Sequence, residues 1–464
     1  MKLQLRILLF SGLLSVVSTA EVVFCEEDPG DDQQEVEELA AQLGIARKND
    51  PFFPSRLETS TGKPITSGEY LEPTECSSCH GKIFKSWRGS MHANSWRDPL
   101  FQSAAKLASE ETKGLSDNFC FGCHVPVGVI SGEIPPIDGS KLSPVAASGV
   151  SCDFCHTVSK TRGVGNLPAT SEPGNVKWGP FTDSKSPFHD VQFSDTHTSA
   201  RFCGLCHNMS HPMNGLQIVG TYTEWLTGPY RAAGVTCQDC HMTPPDPPTA
   251  FTPNPGVAAL NGPKREHRWT HQFVGGNVMV AELLGAQLQA DYARKRLEAA
   301  AEVEILPPAT VSRPGLLEFA VKVRNVGAGH YLPTGMTEMR QMWLDVRVVD
   351  ANGTEIYSSG AVDDAGEIEP NAAIFRTVLG DESGNPTWRM WEATHILYDH
   401  RIPPKGYRVE RYAAYVPPDT GLPLTVRATL RYRSVSPQLA KELLADEAPP
   451  IPVIDMRQAA ITVE

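Results

Sequence analysis

The chain has 464 residues, a formal net charge of −13 at pH 7, 11 cysteines and 14 histidines. This length is enough for two domains, each with its own core. The acidic balance argues against nucleic acid or an anionic membrane surface as a partner, because both are polyanions.

The first twenty residues predict a signal peptide. Lys2 and Arg6 supply the positive charge, Ile7 to Val17 form an apolar run, and Ser18 to Ala20 offer a small-residue cleavage site. The apolar run is short for a membrane span, and no other stretch approaches about 20 apolar residues. We therefore expect an exported chain that has no transmembrane segment after cleavage.

Residues 21–65 are predicted to form an acidic, flexible leader with one short helix near 33–43. The leader contains Cys25, which has two interpretations. It is either a lipidated N-terminus or an unpaired cysteine, and Phe24 argues against lipidation because lipoprotein signals need a small residue there.

A five-fold repeat of the pattern C-x-x-C-H dominates residues 66–276. The pattern uses ten of the eleven cysteines: Cys76, Cys79 and His80; Cys120, Cys123 and His124; Cys152, Cys155 and His156; Cys203, Cys206 and His207; Cys237, Cys240 and His241. This is the attachment signature of haem c, in which both thiols bond covalently to the porphyrin and the histidine ligates the iron. We expect five covalently bound haems.

Three other uses of paired cysteines fit less well. Zinc sites and disulfide frameworks do not require a histidine directly after every second cysteine. A thioredoxin-like redox motif does not recur five times in one domain.

The sixth position of each iron decides what the haem does, since a second histidine gives an electron carrier and an open position binds a substrate. Nine histidines lie outside the motifs, enough for every iron. Our candidates are His92, His197, His211, His271 and His330. The remaining four, His189, His267, His395 and His400, are expected at the surface or in competing roles.

Regular patterns return after residue 276. Residues 277–303 carry apolar residues at helical spacing and predict one long connecting helix. From residue 304 to 464 the period changes to two, around 317–323, 343–349, 409–416 and 424–432. We expect an antiparallel β-sandwich of Ig-like size there, with a loop around His330 that reaches the haem domain. The fold class is therefore multidomain α+β, with a mostly helical and irregular pentahaem domain.

The motifs also resemble a known family. Residues 75–80 with Trp87 and His92, then 121–125, 149–156 and 201–207, resemble in order the four motifs of the tetrahaem cytochrome c-554 family. The resemblance covers about residues 70–210. It implies stacked, mostly bis-histidine haems, with one five-coordinate iron that corresponds to His124. The fifth motif and the C-terminal region depart from that pattern and resemble segments of larger exported multihaem cytochromes.

We therefore expect a periplasmic or cell-surface electron carrier with a basic redox partner or a mineral acceptor. One alternative is an oxidoreductase that acts on a small nitrogen or sulfur compound at an open haem. Against it, the C-x-x-C-K motif of pentahaem nitrite reductases is missing from the sequence. The other alternative is a docking subunit of an extracellular electron conduit or filament.

Overall fold

A computed structural model describes residues 50–306 and 311–464. The expected signal peptide, Cys25 and the expected helix at 33–43 lie outside the described residues. No helix within the described ranges is long and apolar enough to cross a bilayer.

The helices before residue 277, in the part that we call the cavity region (residues 50–276), are mostly short. They are α1 Pro73–Arg88, α2 Pro99–Thr112, α3 Asp117–His124, α4 Pro126–Ile130, α5 Cys152–His156, α6 Asp195–Thr198, α7 Ala200–Gly204, α8 Thr221–Leu226, α9 Pro229–Ala232 and α10 Cys237–His241. The longer ones have clear start signals. Asp98 caps α2 by accepting from the backbone N–H groups of Leu100 and Phe101, and Pro99 occupies the first turn.

The strands of the cavity region are also short. They are β1 Glu58–Thr59, β2 Val158–Thr161, β3 Ala169–Ser171, β4 Val176–Gly179, β5 Asp190–Phe193, β6 Met209–Ser210, β7 Gln217–Val219, β8 Gly256–Val257 and β9 Lys264–Arg265. They form one three-stranded sheet, in the order β1-β3-β2, and three two-stranded pairs. An apolar core of buried residues between Phe52 and Leu205 lies in the same region.

The prediction of one long helix over residues 277–303 is wrong. The structure has two helices, α11 Val278–Leu283 and α12 Gln287–Ala300, and the chain enters a strand at Ala301. Gly285 lies between them with a φ of +71°. That left-handed conformation ends a helix and is accessible to glycine at little cost.

The following part, residues 301–463, we call the strand region. Its strands are β10 Ala301–Leu306, β11 Gly315–Asn325, β12 Gln341–Val349, β13 Glu355–Ser359, β14 Ile374–Phe375, β15 Thr377–Gly380, β16 Pro386–Thr387, β17 His395–Asp399, β18 Tyr407–Val416, β19 Leu424–Arg433 and β20 Ile454–Val463. One helix, α13 Pro437–Leu444, interrupts them.

The strand region contains three antiparallel sheets. One has the order β10-β11-β18, a second has the order β13-β12-β19-β20 with β14 also paired to β12, and a small third has the order β16-β15-β17. Buried residues of the first two sheets share one apolar core. In β18, for example, Tyr412, Ala414 and Val416 are buried and the residues between them are exposed. The described chain is thus a mixed α+β, multidomain protein.

Candidate functional site

A large cavity of about 1860 Å³ is lined mostly by the cavity region and partly by the strand region. Its wall includes all ten motif cysteines, all five motif histidines and five further histidines, which are His92, His189, His197, His271 and His330. Ordinary small-molecule pockets have volumes of about 300–1,000 Å³. This cavity is therefore of the size that several large planar groups require.

Four of the five motifs lie within a helix, the fourth begins in α7 and continues into a turn, and the cysteines and histidines of all five line the cavity. In α5 and α10, the first cysteine begins the helix and the histidine ends it. Ser151 caps α5 through the N–H of Phe154, and Thr236 and Asp239 form a capping box at α10. Residues three apart on a helix share a face, so both thiols of a motif face the same side.

Four motif histidines face a second histidine at a nearly constant distance. The ring centroids of His80 and His189 are 6.4 Å apart, those of His92 and His207 6.1 Å, those of His156 and His271 6.4 Å, and those of His241 and His330 6.4 Å. A metal–imidazole bond is about 2 Å long. Two imidazoles on opposite sides of one iron therefore have centroids roughly 6 Å apart. Each pair has the spacing of two axial ligands.

Backbone carbonyl oxygens contact the Nδ1 atoms of several of these rings. The Nδ1 atoms of five rings contact a carbonyl oxygen: His80 with Ala258 at 3.0 Å, His156 with Trp178 at 2.6 Å, His241 with Val274 at 2.8 Å, His271 with Trp269 at 3.3 Å and His330 with Tyr331 at 2.9 Å. When Nδ1–H donates to the carbonyl, Nε2 keeps the lone pair that ligates a metal.

His197 competes with His271 for His156, since its centroid is 5.7 Å from that of His156. Its Nε2 atom, however, lies 3.0 Å from the carbonyl oxygen of Cys155, and its Nδ1 atom is buried without a partner. This is the reverse of the arrangement at His271. The geometry therefore favours His271 opposite His156.

His124 differs from the other motif histidines. Its ring stacks on Phe101, with centroids 3.7 Å apart and planes 2° apart, and its Nδ1 atom is buried without a hydrogen-bond partner. Among the residues that the structure describes, which include every histidine of the chain, none forms a facing pair with His124.

Two further histidines, His211 and His189, lie in positions that differ from those expected from the sequence. His211, a candidate from the sequence, lies 3.2 Å through Nε2 from the carbonyl oxygen of Trp391 and does not line the cavity. His189, which the sequence analysis assigned to the surface, faces His80. It lies in a loop before β5, and no spacing signal in the sequence identifies it.

Burial keeps His92, His241 and His271 neutral. Desolvation, followed by repulsion from neighbouring imidazoles, lowers the pKa of His92 and His271 to about 3. Desolvation, followed by the positive charge of Arg296, lowers the pKa of His241 to about 3. Neutral imidazole is the form that ligates a metal.

Thiols from different motifs meet inside the cavity. The thiol of Cys152 lowers the pKa of Cys76, that of Cys123 raises the pKa of Cys206, and that of Cys237 lowers the pKa of Cys203, so the two thiols of each pair are neighbours. The first motif is thus adjacent to the third, the second to the fourth, and the fourth to the fifth. The ten thiols, the facing imidazoles and the volume of the cavity together fit haem c.

Comparisons with known proteins agree with this fit. Residues 75–157 match the sequence model of the family described as "Cytochrome c554 and c-prime". The fold is similar to the crystal structure of a penta-heme cytochrome c552 from Thermochromatium tepidum, with a TM-score of 0.60 and 20% identity. That match covers 85% of this chain and 99% of the other. A comparison with curated proteins finds no match.

A second solved structure overlaps the chain in part. The match to the CARDB domain of the PF1109 protein from Pyrococcus furiosus covers 35% of this chain and 85% of that chain, at 17% identity. Its TM-score is 0.17, which is too low to indicate a shared fold. The family match over residues 75–157 and the residues of the site together support one class, the multihaem c-type cytochromes.

Proposed function

We propose that the protein is an exported electron carrier that holds five haems c, one on each C-x-x-C-H motif. The observation that carries this proposal is the set of contacts between thiols of different motifs, because it brings neighbouring attachment sites side by side. When bound, haem supplies one-electron redox chemistry at the iron. The chain supplies the spacing, the axial ligands and the exclusion of water.

The four facing pairs support one set of axial ligands. We propose His80 with His189, His156 with His271, His207 with His92, and His241 with His330. His124 is then the ligand of an iron whose sixth position takes no histidine. His197 lies beside the third motif, and His211 binds no iron.

The thiol contacts also support an order of attachment sites. The third motif adjoins the first through Cys76 and Cys152, and the Cys155 thiol acts electrostatically on Cys203 and Cys206 of the fourth. The fourth motif contacts the fifth. We therefore propose a path through motifs one, three, four and five, with the second motif joined at the fourth.

The proposal also covers the domain boundaries, the location of the protein and its redox partners. The cavity supports a haem domain over residues 66–276. The two sheets that share a core support an antiparallel, Ig-like β-sandwich over residues 304–464. The N-terminal pattern supports export to the periplasm or the cell surface. The donor and acceptor would be redox proteins.

The test is an EPR and visible spectrum of the purified ferric protein, with haem counted by pyridine haemochrome. We expect five haems per chain, four of them low-spin and one high-spin. Fewer than five haems would contradict the count. Five low-spin haems that do not respond to cyanide would contradict the assignment at His124.

The second candidate function, chemistry on a small nitrogen or sulfur compound, would take place at His124, whose imidazole faces no second histidine. The same sample distinguishes the two functions. An electron carrier reduces and reoxidises all its haems without turnover of hydroxylamine or nitrite, whereas an enzyme shows steady turnover that cyanide inhibits.

A further inference from the structure

The loop Gly329–Gly335 connects the two regions of the protein. It follows β11 and precedes β12, so it belongs to the strand region, yet it lines the cavity. It carries His330, whose ring is stacked on that of His241 with an interplanar angle of 21°. The second axial ligand proposed for the fifth motif therefore comes from a different part of the fold than the motif itself.

A buried carboxylate of the cavity region holds this loop. Glu224 lies on α8 and is 6% exposed. Its Oε2 atom accepts the backbone N–H of Tyr331 at 3.0 Å and the hydroxyl of Thr334 at 2.7 Å. Tyr331 directly follows His330, so the first hydrogen bond fixes the backbone next to the ligand.

The other oxygen of Glu224 forms an ion pair with Arg401, also from the strand region. Arg401 is in turn paired with Asp399 at 2.7 Å, and its guanidinium lies 5.0 Å from the ring centroid of Tyr331. One carboxylate thus receives three donors, all from the strand region. Hydrogen bonds to an ionised group are roughly twice as strong as neutral ones.

A second set of contacts holds the base of the loop from within the strand region. The side-chain amide of Asn325 donates to the carbonyl oxygen of His330 at 2.8 Å, and Leu332 pairs with Ile402 through backbone hydrogen bonds. These contacts fix the loop to its own sheet. Only the contacts of Glu224 tie the backbone beside His330 to the cavity region by a buried charge.

We infer that Glu224 is a positioning residue for the sixth ligand at the fifth motif. Its carboxylate holds the loop so that His330 faces His241, and ligation at this site therefore depends on the docking of the strand region. Loss of the charge leaves Arg401 without one buried ionic partner and weakens the hydrogen bonds that Tyr331 N–H and the Thr334 hydroxyl donate. The inference rests on the proposed function, because it assumes a haem at the fifth motif.

The test uses the complete haem-loaded protein with the substitution Glu224→Gln, which keeps the volume of the side chain and removes its charge. We expect the haem count to stay that of the parent. We expect the high-spin fraction at the fifth haem, and carbon monoxide binding by the reduced protein, to rise by about tenfold. Thr334→Val removes one donor only and should give a smaller change in the same direction.

Glu111→Gln is the matched control. Glu111 on α2 also reaches the strand region, since it accepts from Trp391 Nε1 at 2.7 Å and lies 3.7 Å from Arg389, but it does not touch the loop. It should leave the spin state unchanged. Equal effects of Glu111→Gln and Glu224→Gln would overturn the inference, because any loss of docking would then suffice.

His330→Ala separates the inference from the proposal on which it rests. This variant should add one high-spin haem, and added imidazole should restore the low-spin spectrum. If it leaves the spectrum unchanged, the ligand assignment itself fails. If it acts as expected but Glu224→Gln and Thr334→Val do not, only the role of Glu224 fails. If Glu224→Gln does not accumulate, Thr334→Val alone decides the outcome.

Discussion

The cavity region and the strand region reach a compact state by different means. In the strand region, side chains of two sheets fill the space between them, and residues such as Met342, Leu344 and Phe375 are fully buried. In the cavity region an apolar core lies beside a cavity of about 1860 Å³, whose wall carries ten cysteines and ten histidines. The first region is stabilised by its own side chains, whereas we expect the second to depend in part on the group that fills its cavity. Four substitutions test this difference.

The largest effect is expected at the fourth motif, whose thiols contact those of the second and fifth. Cys203→Ser with Cys206→Ser should remove one haem and make residues 66–276 more than about tenfold more sensitive to limited proteolysis, because cofactor binding contributes directly to folding. Mass spectrometry of the fragments should show residues 315–463 protected. Cys25→Ser, outside the motifs, is the control. Equal cleavage of both regions would contradict the comparison.

In the strand region, Leu344→Ala should destabilise the protein by about 2–5 kcal/mol, since it leaves a cavity in a closed core. Urea unfolding followed by circular dichroism measures this loss. The haem count and the visible spectrum should not change. Leu344→Met keeps the volume and should cost less than about 1.5 kcal/mol. A loss of haem from Leu344→Ala would show that the two regions are not independent in this respect.

A third test concerns Glu338, which lies in the segment between β11 and β12. Both of its carboxylate oxygens are buried without a hydrogen-bond partner, and desolvation raises its pKa to about 7. Between about pH 4.5 and 7 the folded protein therefore holds a proton that the unfolded chain has lost, so stability falls as the pH rises through this window. Glu338→Gln should be more stable than the parent at pH 8, by on the order of 1–3 kcal/mol, and equal to it below about pH 4.

Thermal unfolding at a series of pH values gives this comparison. Glu442→Gln is the control, because Glu442 lies at the same small pocket, is exposed and pairs with Arg389 at 3.4 Å. A parallel shift at all pH values would indicate a packing effect instead of titration.

The smallest effect is expected from Arg296 on α12. Its guanidinium is buried and donates to the carbonyl oxygens of Cys240 and Pro248, and its Nε atom has no partner. A buried cation favours the reduced iron, which carries less positive charge. Arg296→Gln should lower the reduction equilibrium constant of one haem by about tenfold, or about 59 mV for one electron. Arg294→Gln, on the same helix and paired with Glu282, should leave all potentials unchanged in a spectroelectrochemical titration.

The local pattern of residues predicts much of this molecule. The alternating segments at 317–323, 343–349, 409–416 and 424–432 fall within β11, β12, β18 and β19, because one buried face produces a period of two. The break at Gly285 was missed. The helical spacing of apolar residues continues across Gly285. A glycine inside a helix costs about 1 kcal/mol relative to alanine, and tertiary contacts decide whether the helix continues through it or ends there.

The pairs of facing histidines show more clearly what the sequence alone does not predict. Spacing places a histidine after each cysteine pair, but it says nothing about which distant imidazole will face it. His189 lies in a largely exposed loop and His211 lies close to a motif, yet the first faces His80 and the second bonds to Trp391. Which histidines face each other depends on where the loops that carry them pack in the folded chain, and contacts distant in sequence determine that packing.

The facing pairs interleave along the chain. His189 lies between the third and fourth motifs, although it faces a histidine of the first, and His92 precedes the second motif although it faces the fourth. The partners in each pair are roughly a hundred residues apart, so each pairing closes a long loop. The site therefore has no modular units: a deletion, insertion or fusion within residues 92–207 or 241–271 would disturb at least two pairs together. An engineer who wants a shorter conductor could not obtain one by removing a single motif.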